Sequence, residues 1–401
     1  MINMKKYTKI TVLLLIQLIM LTGCTQKKEE TVPQEEEKVI EIRDYPIEHE
    51  TEFGGIYIQI DIDDFNMLGF SYGDSVNVEF DNGYKLEDIP YYNGYYVDAG
   101  KPLLVGYPGY QYIKVTENYG QDLWDEFSLK IGSSINTLWL KSKVQEHNKA
   151  TVVLNKKGKY LDIQEASDIH YYDEREKYDS DVMFANFRSM NVGKLKKDII
   201  YRSASPCDNQ HNRASYVDKL IKEAGVKTIL DLADNEIRIE KYLANDDFAS
   251  DYFKTLYDNG NVVAIALNMN FYSEDFGIKL VQGFQMMMEK EGPYLIHCTE
   301  GKDRTGFVAM LIEALAGASY EEIVNDYMLT YYNYYRIDQN SDKEKYDTIL
   351  EKNLNAMIKA IVNDDSIDYK NCDLSVYAEN YLLKMGMSKE ELNEFKNCLI
   401  D

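Results

Sequence analysis

Three regimes of hydrophobic and polar residues follow one another along this chain. Near the start, Ile10 to Met20 is apolar almost without interruption. From about Phe53 to Ile163, short Tyr, Ile and Val runs are separated by turn sequences at Asp81-Asn82-Gly83, Asn93-Gly94 and Tyr107-Pro108-Gly109. Ile56 to Ile62 alternates cleanly. Val76 to Phe80 ahead of Asn82-Gly83 predicts a hairpin, because that pair accepts the left-handed backbone of a tight turn. A β-rich domain of unknown role is therefore expected over 51–165, and its many tyrosines suit the surface of a sheet.

From about Tyr178 onward the period changes. Ala214 to Ala224 predicts a helix with Gly225 at its C-cap, followed by a strand from Val226 to Leu232. Val262 to Leu267 predicts a second buried strand, Phe276 to Lys290 a helix ended by Gly292, and Pro293 to His297 a third strand. Phe307 to Ala316 predicts an apolar helix closed by Gly317. Residues 341–401 predict further helices, the last opened by a capping box at Ser388 to Glu391. Strands alternating with helices imply an α/β domain over 175–401, a sheet flanked by helices with its site at the C-terminal edge of the strands.

Between the last predicted strand and helix stands His297-Cys298-Thr299-Glu300-Gly301-Lys302-Asp303-Arg304-Thr305-Gly306. A strand-to-helix loop is an anion cradle: backbone N–H groups point inward, the helix dipole favours negative charge, and glycines at 301 and 306 let the backbone turn tightly. Cys298 offers a thiolate nucleophile and Arg304 a planar fork for the equatorial oxygens of a phosphoryl group. Thr299, Glu300, Gly301, Lys302, Thr305 and Gly306 complete the cradle. Thr305 is placed to hydrogen-bond the sulfur when it leaves, His297 to orient the loop, and Lys302 to add a positive charge at the pocket mouth.

These ten residues resemble the signature loop of the cysteine-dependent protein tyrosine phosphatases, and Gly-Lys-Asp-Arg-Thr-Gly is similar to the bacterial branch that includes secreted tyrosine and lipid phosphatases. Asn186-Phe187-Arg188, Ile200-Tyr201-Arg202-Ser203-Ala204-Ser205-Pro206 and Ile323 to Thr330 are similar to other segments of that branch. The resemblance spans roughly 180–400. It implies a metal-independent phosphatase without cofactor, working through a cysteinyl-phosphate. Such enzymes need an acid for the leaving alcohol, and the Trp-Pro-Asp stretch that often supplies it is missing here. Asp231, expected at a strand end, is the first candidate and Asp303 the rival. The family often shows Asp-Leu-Arg where this chain has Asp231-Leu232-Ala233. Cys207 is read as a small buried residue or a partner that protects Cys298 by a disulfide. Arg213 is read as a surface salt bridge.

The leader adds an address. Lys5, Lys6 and Lys9 precede an apolar core too short to span a membrane comfortably, and Leu21-Thr22-Gly23-Cys24 follows. This resembles a bacterial lipobox, which implies removal of 1–23, lipid on Cys24 and residence on the outer face of the cell membrane. Residues 24–50 read as an acidic tether. The net charge of −24 argues against nucleic acid as a partner and leaves phosphate binding to local charge. The expected partners are a phosphorylated protein, peptide or inositol phosphate, and the membrane through its lipid. Three functions stay open: a phosphatase for phosphotyrosine or related monoesters, an inositol phosphate or phosphoinositide phosphatase, and a surface protein that binds phosphate ligands without turning them over.

In a bacterium with lipoprotein processing, the full chain is expected to fractionate with membrane, incorporate a fatty-acid analogue and be shaved by external protease, while Cys24→Ala takes up no label. Label on the Cys24→Ala variant, or protease resistance of intact cells, would contradict the address.

Overall fold

The computed structural model describes residues 39–51, 53–126 and 149–401. The leader, Cys24 and most of the proposed tether lie outside them. Seven described strands form a closed barrel: β1 (Glu41–His49), β2 (Ile56–Asp61), β3 (Ser75–Phe80), β4 (Lys85–Tyr92), β5 (Pro102–Val105), β6 (Tyr112–Glu117) and β7 (Lys149–Lys156), in the order β1-β2-β6-β5-β4-β3-β7, with β7 pairing back to β1. The alternation read from sequence points into its core: Ile56, Ile58 and Ile60 from β2, and Val76, Val78 and Phe80 from β3, are buried. The turn at Asp81–Gly83 joins β3 to β4 as an antiparallel pair.

One boundary moves. Glu41–His49, placed in the acidic tether by composition, is the first barrel strand. Its buried residues, Ile42 and Ile47, are five apart rather than an even number, because the register with β7 shifts between Ile42 and Tyr45, where Asp44 takes a left-handed φ of 56°. A bulge of this kind breaks the period of two and hides the strand among charges.

The second sheet is made of β8 (Arg188–Ser189), β9 (Ile200–Ser203), β10 (Thr228–Asp231), β11 (Val262–Ala264) and β12 (Tyr294–His297), ordered β11-β10-β12-β9-β8. All pairs are parallel except β8 with β9. Successive residues face opposite layers. Leu230, Ile296 and Ile200 join the core that contains helices Glu274–Met288 and Asp303–Leu315, whereas Ile229, Leu295 and Tyr201 join the one formed with helices Ala214–Glu223 and Asp251–Asp258. The register aligns Ala264, Asp231, His297 and Ser203 in one row at the C-terminal edge.

Two predicted elements change at that edge. The strand from Val262 stops at Ala264, since Ala266 adopts a φ of 44° and turns the chain over the sheet, where the amides of Ala266 and Leu267 bond to Asp234 and Leu232. The helix expected from Phe307 begins four residues earlier, at Asp303, so Arg304, Thr305 and Gly306 form its first turn. Gly306 is therefore no loop hinge. A Cβ there would stand 2.7 Å from the Tyr327 ring, and its absence lets helix Tyr320–Tyr335 pack close. The C-terminal segments form helices as expected, ending with the capping box of Ser388 and Glu391.

Candidate active site

Cys298 directly follows β12 and is 3% exposed. Five residues later the helix Asp303–Leu315 starts, and its N-cap residue Lys302 makes no side-chain cap to the first-turn amides. Those donors and the helix dipole face the same concave loop, the arrangement that binds a tetrahedral anion. Arg304 reaches back along the loop from the first turn. Its Nη1 donates to the carbonyl of Leu267 at 3.2 Å and its Nη2 to Thr299 Oγ1 at 3.5 Å, which holds the guanidinium in one plane while 94% of the residue is buried. Thr305 is fully buried, and its hydroxyl has no hydrogen-bond partner among the described residues.

The loop is fastened from behind. Arg202, at the end of β9, donates to the Gly301 carbonyl at 3.1 Å, and Asn186 Nδ2 donates to the same oxygen at 3.2 Å. Asp326, from helix Tyr320–Tyr335, receives Arg202 at 2.6 Å and Arg188 at 2.7 Å, while Thr330 accepts from Asn186 and Arg188. Burial alone would raise the Asp326 carboxyl, but the two guanidiniums hold it well below the ordinary range. Two side chains thus hold one carbonyl, and a helix distant in sequence holds both of them. Gly301 itself has a φ of 67°, and a Cβ there would lie 2.2 Å from the Ser203 carbonyl oxygen.

The rim carries most of the charge. Lys302 Nζ lies 2.7 Å from Glu300 Oε2 and 4.0 Å from Asp303 Oδ2, and donates to the Tyr335 hydroxyl at 3.3 Å. The expected free cation at the pocket mouth is in fact paired, and its side chain is only 12% exposed. Glu300 also accepts the Tyr171 hydroxyl at 2.8 Å. Burial works to raise its carboxyl, yet Lys302 and His211 keep it down at about 2. Asp303 is shifted the other way: burial raises it more than Lys302 and its hydrogen bond from Tyr119 lower it. Arg213 makes the expected salt bridge, to the half-exposed Asp173 at 3.1 Å, but is not itself on the surface. It is 2% exposed, stacked among Tyr171, Phe184 and Tyr334 and bonded to the carbonyls of Phe184 and Tyr172, beneath the tyrosine that holds Glu300.

Asp231 ends its strand as the sequence suggests but turns inward. It is fully buried, and its Oδ1 accepts the amides of Ala233 and Asp234 at 2.9 and 3.0 Å. Its Oδ2 lies 3.7 Å from His297 Nε2, and one carboxylate oxygen each of Asp231 and Asp234 lies with Cys207 Sγ within a 4.8 Å cluster. Desolvation, and the closeness of the two carboxyls, push Asp231 and Asp234 above the ordinary range; the same burial lowers His297 to about 4. His297 is therefore neutral at pH 7, with Nδ1 3.4 Å from the Cys298 carbonyl. Cys207 and Cys298 are both free thiols. Sequence reasoning missed the role of the Arg202–Asp326 brace, although it had picked out both segments, and it missed Tyr119, which no local pattern marks.

A family model described as the tyrosine phosphatase family matches residues 184–401. Among characterised relatives, a tyrosine-protein phosphatase of Nostoc commune is 32% identical over 120 residues, and the match covers 26% of this chain and 40% of that protein. Among solved structures, the core catalytic domain of the PP-IP phosphatase SIW14 from S. cerevisiae, in complex with citrate, shares 21% identity at a TM-score of 0.26 and covers 45% of this chain and 93% of its own. TpbA of P. aeruginosa, in complex with pTyr, shares 15% identity at a TM-score of 0.24, covering 44% and 94%.

The brace makes a direct test of the cradle. A left-handed alanine costs roughly 1–3 kcal/mol, and a contact of 2.2 Å adds to that by forcing the loop away from β9. Gly301→Ala is expected to weaken binding of tungstate, a tetrahedral dianion, by about tenfold or more in calorimetry, about 1.4 kcal/mol, with an unchanged far-UV circular dichroism spectrum. Equal binding by the two proteins would contradict the cradle.

Proposed function

The chain belongs to the tyrosine phosphatase family, and we propose that it is a lipid-anchored phosphatase of the cell surface, hydrolysing phosphotyrosine or related phosphomonoesters through a cysteinyl-phosphate. The observation that carries this reading is the placement of Cys298 at the end of β12 with buried Arg304 in the first helical turn and uncapped amides between them.

In the first step the Cys298 sulfur attacks phosphorus in line, the S–P bond forms and the P–O bond to the aryl group breaks. Arg304 and the loop amides hold the equatorial oxygens, whose charge must be matched as they pass through the transition state. The leaving oxygen takes its proton from an acid. In the second step water attacks the phosphorus, gives its proton to that same group, and the S–P bond breaks with the Thr305 hydroxyl donating to the departing sulfur. Arg304 and the amides supply the positive charge this needs, so no metal takes part. His297, neutral and buried, keeps the loop in place rather than moving protons.

For the acid, Asp303 is the better of the two aspartates. Its side chain is 28% exposed on the loop rim, and burial favours its protonated form. Asp231 also leans toward its protonated form, but it is fully buried with one oxygen committed to two amides. Charge on the rim also bears on substrate. Lys302 is already matched by Glu300 and stands beside Asp303, so a second phosphate finds no unpaired cation on this loop. That favours an aryl monoester over a polyphosphorylated inositol. The anchor on Cys24 rests on the leader sequence.

Purified protein from residue 25 onward is expected to release phosphate from a phosphotyrosine peptide in the presence of a chelator. Cys298→Ser should abolish turnover, and Arg304→Lys should lose most of it because an ammonium cannot reproduce the bidentate fork. Full activity in either variant, or an absolute need for added Mg²⁺ or Zn²⁺, would overturn the mechanism.

Asp303→Asn is expected to slow phosphotyrosine turnover by about 10²–10⁴ and para-nitrophenyl phosphate much less, since a good leaving group needs no proton. If Asp231→Asn shows that dependence and Asp303→Asn does not, the acid is Asp231.

A further inference from the structure

The barrel reaches into the site just described. Tyr119 lies in the turn after β6, and its side chain leaves the barrel to pack 4.6 Å from Phe271, ring centre to ring centre, in the core that also holds Phe307 of the signature helix. Its hydroxyl donates to Asp303 Oδ1 at 3.1 Å. Tyr119 has a left-handed φ of 47°, a strained conformation that aromatic residues rarely adopt. A second barrel segment, the turn between β1 and β2, sets the Phe53 ring 5.7 Å from the Arg304 guanidinium carbon. Glu50 steadies that turn by accepting the Phe53 amide and the buried Lys114 ammonium.

We propose that Tyr119 is a positioning residue for the general acid, so that the β-barrel is a working part of the phosphatase site rather than an appendage. The proposal rests on Asp303 being the acid. With Oδ1 held by the phenol, the proton to be delivered is carried on Oδ2. The strained turn and the seat against Phe271 fix where the phenol stands. Burial raises the Tyr119 phenol well above its ordinary range, so it stays a donor at every pH at which the enzyme works. Facing Asp303 are Lys302, Glu300 and Arg304 from the loop and its helix, Tyr327 and Tyr331 from helix Tyr320–Tyr335, and Tyr107 from the barrel. Burial pushes all three of these phenols up as well, so none of them ionises in the range where the acid does.

A hydrogen bond donated to a carboxylate stabilises its ionised form and lowers its pKa. Removing the donor raises that pKa and moves the alkaline limb of kcat, where the acid loses its proton, to higher pH. A merely structural tyrosine would not move it.

The test uses the full chain and aryl phosphates of graded leaving groups. Tyr119→Phe keeps the ring and is expected to lower kcat for phosphotyrosine peptide on the order of tenfold through a misplaced acid, with KM little changed and the alkaline limb shifted up by about half to one pH unit. Incorporation of 3-fluorotyrosine at position 119, a stronger donor of nearly the same shape, is expected to move the limb down and keeps the test alive if the phenylalanine variant folds poorly. The double variant Tyr119→Phe with Asp303→Asn should be no slower than Asp303→Asn alone. An unmoved limb in both Tyr119 variants, or losses that multiply in the double variant, would overturn the proposal. If Asp303→Asn alone spares poor leaving groups, the acid assignment falls and the proposal falls with it, and that result is read without reference to Tyr119.

Discussion

One carbonyl oxygen, that of Gly301, holds the candidate site in shape. It accepts from Arg202 and Asn186, and Arg202 is in turn held with Arg188 by Asp326. Two buried guanidiniums sharing one carboxylate would be costly if any member were missing, because each charge would then lie desolvated and unpaired. Completed, the network links β8, β9, the loop and helix Tyr320–Tyr335. On the other side, among the described residues, the N-cap residue of the signature helix makes no side-chain cap and the Thr305 hydroxyl has no hydrogen-bond partner. A loop braced on one side and open on the other is what a preorganised anion site requires.

The same economy of charge runs round the rim. Arg304 is the buried cation turned to the cradle, while Lys302 is matched by Glu300 and neighbours Asp303. In a chain of net charge −24, attraction of phosphate is therefore short-ranged and depends on the pocket rather than on the surface as a whole. The aromatic content serves these contacts. Tyr171, Tyr334 and Tyr335 hold Glu300 and Lys302, and Arg213 lies stacked beneath two of them. Tyrosines that composition alone assigns to a sheet surface are here partly the wall of the site.

Local pattern made the α/β region and its loop legible, because alternation and helical period are short-range signals and Cys298 to Arg304 is continuous. It placed Asp231 at a strand end but not its direction. The following Ala233 and Asp234 amides lie at the spacing an aspartate caps, a signal that was available. It lost β1 because a bulge destroys the period of two. It left Lys302 free and Arg213 exposed because ion pairing and stacking partners come from elements far away. Tyr119 and Asp303 are 184 residues apart, and no spacing rule reaches that distance.

In this mechanism every phosphoryl group passes through the Cys298 sulfur. Rapid acid quench of the enzyme turning over a phosphotyrosine peptide, followed by digestion and mass spectrometry, tests it most directly. One phosphoryl group is expected on the Cys298 peptide, appearing before free phosphate and absent from Cys298→Ser. Steady phosphate release with no adduct on that peptide, or with an adduct on another residue, would contradict it.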